Sequence, residues 1–217
     1  MAGRGDVRVD DLPRTAIDVV EPAHFRGAER FGGTIKPVAL ASLDGDDVEA
    51  WVGPAFVSRH HPLAALDGVA NAVRFTSAAG ETLTFSGPGA GPRATAVTIL
   101  DDVIEAVSGR EGVTGAHGIG ARHRALGAQH RPRFPEWFIS LDSDGQFSAC
   151  DVVSILTSRQ IPPTRVLTVA GRTHVRTGPV SRAVVSEAAA ALRRAGVNVL
   201  AVPVLEEKTS GVFLHKT

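Results

Sequence analysis

The sequence predicts an α+β protein in two parts: a mainly antiparallel sheet with helices, then a ferredoxin-like βαββαβ unit. Three observations carry this. Between residues 34 and 87, runs of β-branched and aromatic residues alternate with Gly, Asp and Pro turn signals. Residues 110–134 are rich in Gly, Arg and His and hold no sustained apolar period, as expected of a linker. Beyond Phe134 the pattern reads strand, helix, strand, strand, helix, strand. The boundaries expected are 1–109 for the first part, 110–134 for the linker, 135–207 for the second part and 208–217 for a polar tail.

Short helices open the chain. Pro22 suits a first helical turn, Phe25, Ala28 and Phe31 fall on one face, and Gly32-Gly33 ends the helix. Strands follow at 34–43, 48–57, 71–79 and 81–87. The turns "DGDD" and "AAGE" suit antiparallel hairpins, and Pro37 and Pro54 are expected at strand ends or on an edge. Ala96, Ile99, Leu100, Val103, Ile104 and Val107 repeat with helical period, which predicts a helix with one buried face. In the second part, "EWFISLDS" reads as a strand and "ACDVVSILTSRQ" as a helix with Val152, Val153, Ile155 and Leu156 apolar. "TRVLTVAGRTHVRTG" reads as a hairpin turning at Ala170-Gly171, "SRAVVSEAAAALRRAG" as a helix and "VNVLAVPVLE" as the last strand.

The bulk chemistry removes several classes of function. Lys+Arg and Asp+Glu both number 23, so no net charge favours nucleic acid or anionic lipid. No apolar run approaches a membrane span, and the N-terminus lacks the apolar core of a signal peptide, which points to a cytoplasmic protein. The single cysteine, Cys150, is expected as a buried structural thiol. His117, His123 and His130 have no ligand spacing that suits a metal, and no metal is expected. The only lysines are Lys36, Lys208 and Lys216, so lysine-dependent chemistry has few candidates.

The stretch "TFSGPGAGPRATAV" is the most informative. A strand breaks at a glycine-rich turn and resumes as a helix, a geometry that presents backbone N–H groups to an anion. Gly87, Gly89, Ala90 and Gly91 form the turn, and Arg93 stands at the positive end of the helix, where it is solvated or meets an anion. His60, His61 and Asn71 lie nearby in sequence. His24, Asp101 and Asp102 complete the set of acid/base candidates, with the two aspartates readable as a polar helix face.

"FGGTIKPVALASL", "HPLAALDGVANAV" and "TFSGPGAGPRATAVTILDDVIE", in that order, resemble successive motifs of homoserine dehydrogenase. In "THVRTGPVSRAVVSEAAAAL" the second part is similar to the C-terminal ACT domain that many members carry. The resemblance implies a partial substrate and dimerisation domain followed by an ACT-type domain. It makes Gly87, Gly89, Ala90 and Gly91 a vestigial cofactor-side turn, gives Lys36 a structural place in its strand, and leaves Asn71 at the sheet edge or in the substrate cleft. It also implies a small amino-acid ligand near Asp142, Asp144, Gly145 and Gln146, although Gln146-Phe147-Ser148 replaces the small apolar stretch of the family.

The family's dinucleotide domain and catalytic lysines have no counterpart in these 217 residues. The expectation is therefore a homoserine-dehydrogenase-like regulatory or complementing subunit that binds no cofactor itself and is not an autonomous NAD(P)-dependent dehydrogenase. Expected partners are a second copy in a homodimer, a separate Rossmann-containing subunit and a small amino acid. The alternative is a repurposed non-redox enzyme that cyclises or eliminates an amino-acid-derived substrate, with His60, His61 and Asn71 as candidates. A fragment of a longer gene is a third reading.

Overall fold

A computed structural model describes residues 12–44, 47–77, 79–108, 135–142, 145, 147–206 and 212–215. The chain runs α1 (Pro22–Arg30), β1 (Gly33–Asp44), β2 (Asp47–Ser58), a 3-10 turn (Pro62–Ala65), β3 (Ala70–Thr76), β4 (Thr82–Pro88) and α2 (Pro92–Val107). The second part holds β5 (Trp137–Asp142), α3 (Ala149–Ser158), β6 (Pro163–Val169), β7 (Arg172–Thr177), α4 (Arg182–Arg194) and β8 (Asn198–Leu205), and β9 (Val212–His215) follows. The His-rich stretch, with His117, His123 and His130, lies outside the described residues.

Both predicted hairpins of the first part form, β1 with β2 and β3 with β4, each antiparallel. The β6–β7 turn has Ala170 at φ 49° and Gly171 at φ 81°, two left-handed residues in the manner of a tight type I′ connection. All strands join in one nine-stranded sheet of order β4-β3-β9-β1-β2-β8-β5-β7-β6. The seam between the two parts is a short parallel pairing, Phe56 with Val204 and Val57 with Leu205. Residues expected as part of a polar tail supply β9, which lies between β1 and β3.

The prolines depart from expectation. Pro37 and Pro54 face each other in mid-strand. Opposed residues of an antiparallel pair that are not hydrogen-bonded to each other turn their N–H groups outward, so two residues without N–H suit that position. Among the described residues, β9 pairs with Ala39–Ala41, Pro13–Thr15 bond to Val52, and β8 pairs with Phe56 and Val57 on the outward sides.

Three clusters form the core. In the second part, α3 and α4 cover one face of the sheet through Val152, Leu156, Val185, Ala188 and Leu192, packed on Ile139, Leu141 and Val175. The opposite face is covered by α1, where Ala28 and Phe31 meet Phe56, Phe138, Leu200 and Val202. A third cluster places Leu63 and Ala72 against Val38, Trp51, Val57 and Leu205. The inward residues of α1 are His24, Gly27 and Ala28, with buried Phe31 as its C-cap, whereas Phe25 is exposed. A histidine thus occupies the stripe that apolar counting assigned to Phe25.

Two other expectations are corrected. No residue of α2 is buried: Ile99 and Leu100 are each 58 % exposed and Val107 is 83 % exposed. Its apolar period is real, but no other element of the described chain covers it. Cys150 is exposed because α3 turns Val152 and Leu156 inward, which leaves Cys150 on the outer side. No described helix is long and apolar enough to cross a membrane.

Candidate functional site

The glycine-rich turn follows the end of β4. Asn71 pairs in register with Gly87, and Gly89 N–H donates to the Val69 carbonyl at 2.6 Å. The Asn71 carboxamide lies directly on Gly89, where a Cβ would stand 1.6 Å from Asn71 Nδ2. Gly89 is therefore required by contact, and Asn71 is a residue that shapes the turn. Gly91, at φ 109°, caps α2 without a side-chain hydrogen bond, Pro92 occupies the first helical turn, and Ala90 and Arg93 are exposed. The arrangement leaves the turn open to a second body.

His60 is exposed and His61 is buried. Leu63 N–H donates to His61 Nδ1 at 3.2 Å, and Arg74 Nη1 lies 3.1 Å from His61 Nε2. A neutral imidazole has a single acceptor nitrogen, yet both ring nitrogens of His61 face donors. This histidine holds the 3-10 turn against β3. Asp101 and Asp102 are exposed on α2. Lys36 donates to the Leu66 carbonyl and pairs with Asp67 at 3.3 Å, which ties β1 to the loop after the 3-10 turn.

A second polar cluster joins the two parts. Arg172 Nη2 lies 2.6 Å from Glu21 Oε2 and 2.7 Å from Asp142 Oδ2, while Arg172 Nη1 is 3.1 Å from His24 Nε2. Glu21 N–H donates to His24 Nδ1 at 2.9 Å. Burial, and then the Arg172 charge, hold the His24 pKa below its ordinary value. Asp142 thus serves the joint between α1 and β7.

Gly145 is exposed with φ 78° and has open space where a Cβ would stand, whereas Asp144 and Gln146 lie outside the described residues. The next helix start is satisfied internally. Ser148 Oγ accepts from Asp151 N–H at 3.2 Å, and Asp151 Oδ2 accepts from Ser148 N–H at 2.9 Å. Hydrogen bonds from the Ser148 hydroxyl and amide hold the Asp151 carboxyl below its usual pKa. Among the described residues, no group of three or more His, Cys, Asp or Glu is placed to hold a metal ion.

The sequence reading missed the residues that bind the parts together. Arg172, His174 and Arg176 alternate along β7 on the face opposite Val175, which looks like a solvated stripe but meets α1 and β2 instead. Arg176 pairs with Glu136 at 2.8 Å and with Glu206, and its guanidinium lies 5.5 Å from the Phe56 ring centre. Arg165 covers Phe31 at 4.8 Å. Arg182 lies between Trp51, at 5.4 Å, and Trp137, at 5.2 Å. The signal was available in β5: "WFISL" is buried at every residue, which requires cover on both faces of the strand.

Comparison with known proteins agrees with the motifs. The homoserine dehydrogenase family model matches residues 1–104. Homoserine dehydrogenase of Bacillus subtilis is 29% identical over 167 residues, covering 75% of this chain and 38% of the relative. That of Mycobacterium tuberculosis is 38% identical over 117 residues, covering 52% of this chain and 26% of the relative. Among solved structures, Staphylococcus aureus homoserine dehydrogenase at pH 6.0 superposes with a TM-score of 0.64 at 20% identity, covering 92% of this chain and 49% of that one. The Thiobacillus denitrificans homoserine dehydrogenase gives a TM-score of 0.57 at 18% identity, covering 84% of this chain and 44% of that one. The chain therefore spans less than half the length of the curated relatives it matches. Residues 1–104 thus match the homoserine dehydrogenase family model, and the chain is similar to homoserine dehydrogenases over part of their length.

Proposed function

We propose that this chain works as a regulatory or complementing part of a homoserine dehydrogenase assembly and not as an autonomous dehydrogenase. The observation that carries this reading is α2. A helix with apolar residues at 96, 99, 100, 103, 104 and 107, all exposed, follows directly on the glycine-rich turn. An amphipathic helix of this kind needs cover for its apolar face. In this reading the cover is a dinucleotide-binding body, and the Gly87–Gly91 turn faces the cofactor that body holds. NAD(P) chemistry belongs to the covering body. The present sheet supplies the substrate-side wall, and a second copy makes the assembly a cytoplasmic dimer.

The second part serves as an ACT-type regulatory unit in the same reading. Its βαββαβ order and the open Gly145 support binding of a small aspartate-family amino acid at the start of α3. The alternative of a repurposed non-redox enzyme gains no support from His61, whose nitrogens are occupied by Leu63 N–H and Arg74.

The test has two arms. Thermal unfolding is followed with NAD(P), homoserine, threonine, methionine, isoleucine and lysine, each alone. A ligand at about a hundred times its Kd stabilises by roughly 2.7 kcal/mol. One amino acid should raise the midpoint by several degrees, and dinucleotides should not. In the second arm, homoserine-dependent reduction of NAD(P) should be absent with the chain alone and appear on mixing with a chain that carries the dinucleotide domain. Turnover by this chain alone would overturn the proposal.

A further inference from the structure

The strand order contains a mechanical oddity. β3 is not bonded to β1, and the hairpin β3–β4 reaches the rest of the sheet's ladder through β9. On one side of β9, Leu214 pairs with Ala39, Phe213 with Leu40 and Val212 with Ala41. On the other, His215 pairs with Ala72, Leu214 with Val73 and Phe213 with Arg74. Both pairings are antiparallel, so β1 and β3 run parallel to one another across the slot. Without the strand, two edges would face each other about 9–10 Å apart, twice the usual strand spacing, with unpaired N–H and C=O groups.

The connectivity gives the slot a meaning. β9 comes six residues after β8, and β8 is bonded along its length to β5 of the βαββαβ unit. The hairpin that β9 secures carries Asn71 and leads into the Gly87–Gly91 turn. A four-residue strand with three ladder pairs on each side belongs to the part of a structure that opens most readily.

We infer that β9 is a keystone strand: its seating between β1 and β3 holds the β3–β4 hairpin and the glycine-rich turn in place, and the βαββαβ unit controls that seating through the short connection from β8. The regulatory consequence rests on the proposed function, whereas the seating itself does not. The occupant of the slot is the chain's own C-terminal segment, and the slot accepts that segment in trans when the covalent copy is removed.

Two measurements test this. In a full chain with Cys150→Ser, the pair Ala39→Cys and Leu214→Cys should form an intrachain disulfide on mild oxidation; an interchain disulfide, or none, overturns the assignment. Truncation after Glu206 should speed amide exchange at residues 39–41 and 72–74 by about tenfold or more and leave residues 137–141 unchanged. A peptide of residues 207–217 should restore protection, and unchanged exchange on truncation, or no restoration by the peptide, overturns the inference. Should the truncated chain fail to fold, Leu214→Pro in the full chain removes one ladder donor and is read by the same exchange, with the same faster exchange at residues 39–41 and 72–74 expected and unchanged exchange counting against β9. No readout involves homoserine, NAD(P) or a covering partner, so failure here is distinct from failure of the proposed function.

Discussion

His174 has no exposed surface and lies between Gly27 and Phe138, with the Phe138 ring stacked 5.7 Å away. Among the described residues, neither of its ring nitrogens has a hydrogen-bond partner. Burial first, then the nearby His24 and Arg172, push its pKa down to about 4. Glu21 and Asp142 are the acidic groups of the adjoining cluster, and both are paired with Arg172. The unfolded chain takes up this proton near the ordinary value of 6.5, and the folded chain resists until about 4. The stability contributed by a neutral His174 is therefore complete above pH 6.5 and is lost as the pH falls from there toward 4. That loss should be on the order of 2–3 kcal/mol, seen as a falling urea midpoint between pH 7 and pH 4.5. His174→Leu should flatten most of this slope, and His24, shifted in the same direction, should account for part of what remains. None of this was legible in "RTHVRT", because strand alternation separates two faces without saying that both are covered.

At the scale of elements, the readable and unreadable parts divide along one physical line. The hairpins, the Ala170-Gly171 turn and the periods of α2 and α4 are local, set by turn chemistry and apolar spacing, and all are present. What covers a face is a long-range matter. The spacing of α2 identifies an apolar face but not its cover, and Pro37 opposite Pro54 depends on the register of the β1–β2 pair. The glycine turn was legible from its residues, but the packing of Asn71 on Gly89 needed the strand register. A prediction follows for α2. Ile99→Asp and Leu100→Ser, both at exposed positions, should leave monomer stability within about 0.5 kcal/mol. The same changes should abolish association with a second copy or a dinucleotide-binding chain, as read by light scattering and pull-down. A large loss of stability instead would mean that α2 packs within its own chain.

Across the whole molecule, the two parts behave as one body because their joint is made of several kinds of contact. The Phe31, Phe56 and Phe138 rings pack in the middle, while Arg165, Arg172, Arg176 and Arg182 reach from the second part onto the first or its margin. Unfolding should therefore follow a single transition in which far-UV circular dichroism and fluorescence coincide. Arg182→Ala removes the cation held between Trp51 and Trp137, and it should lower global stability by roughly 1–2 kcal/mol in a urea titration. Arg182→Lys should recover part of that, since the charge returns without the flat guanidinium.

Trp51 and Trp137 are also the only two tryptophans, and the chain has no tyrosine. Near-ultraviolet excitation therefore illuminates a single place in the protein, the indole pair on either side of Arg182. Any event that parts the halves should change the colour and intensity of that emission. The molecule carries its own optical gauge at the joint of its two parts, and no dye need be attached to read it.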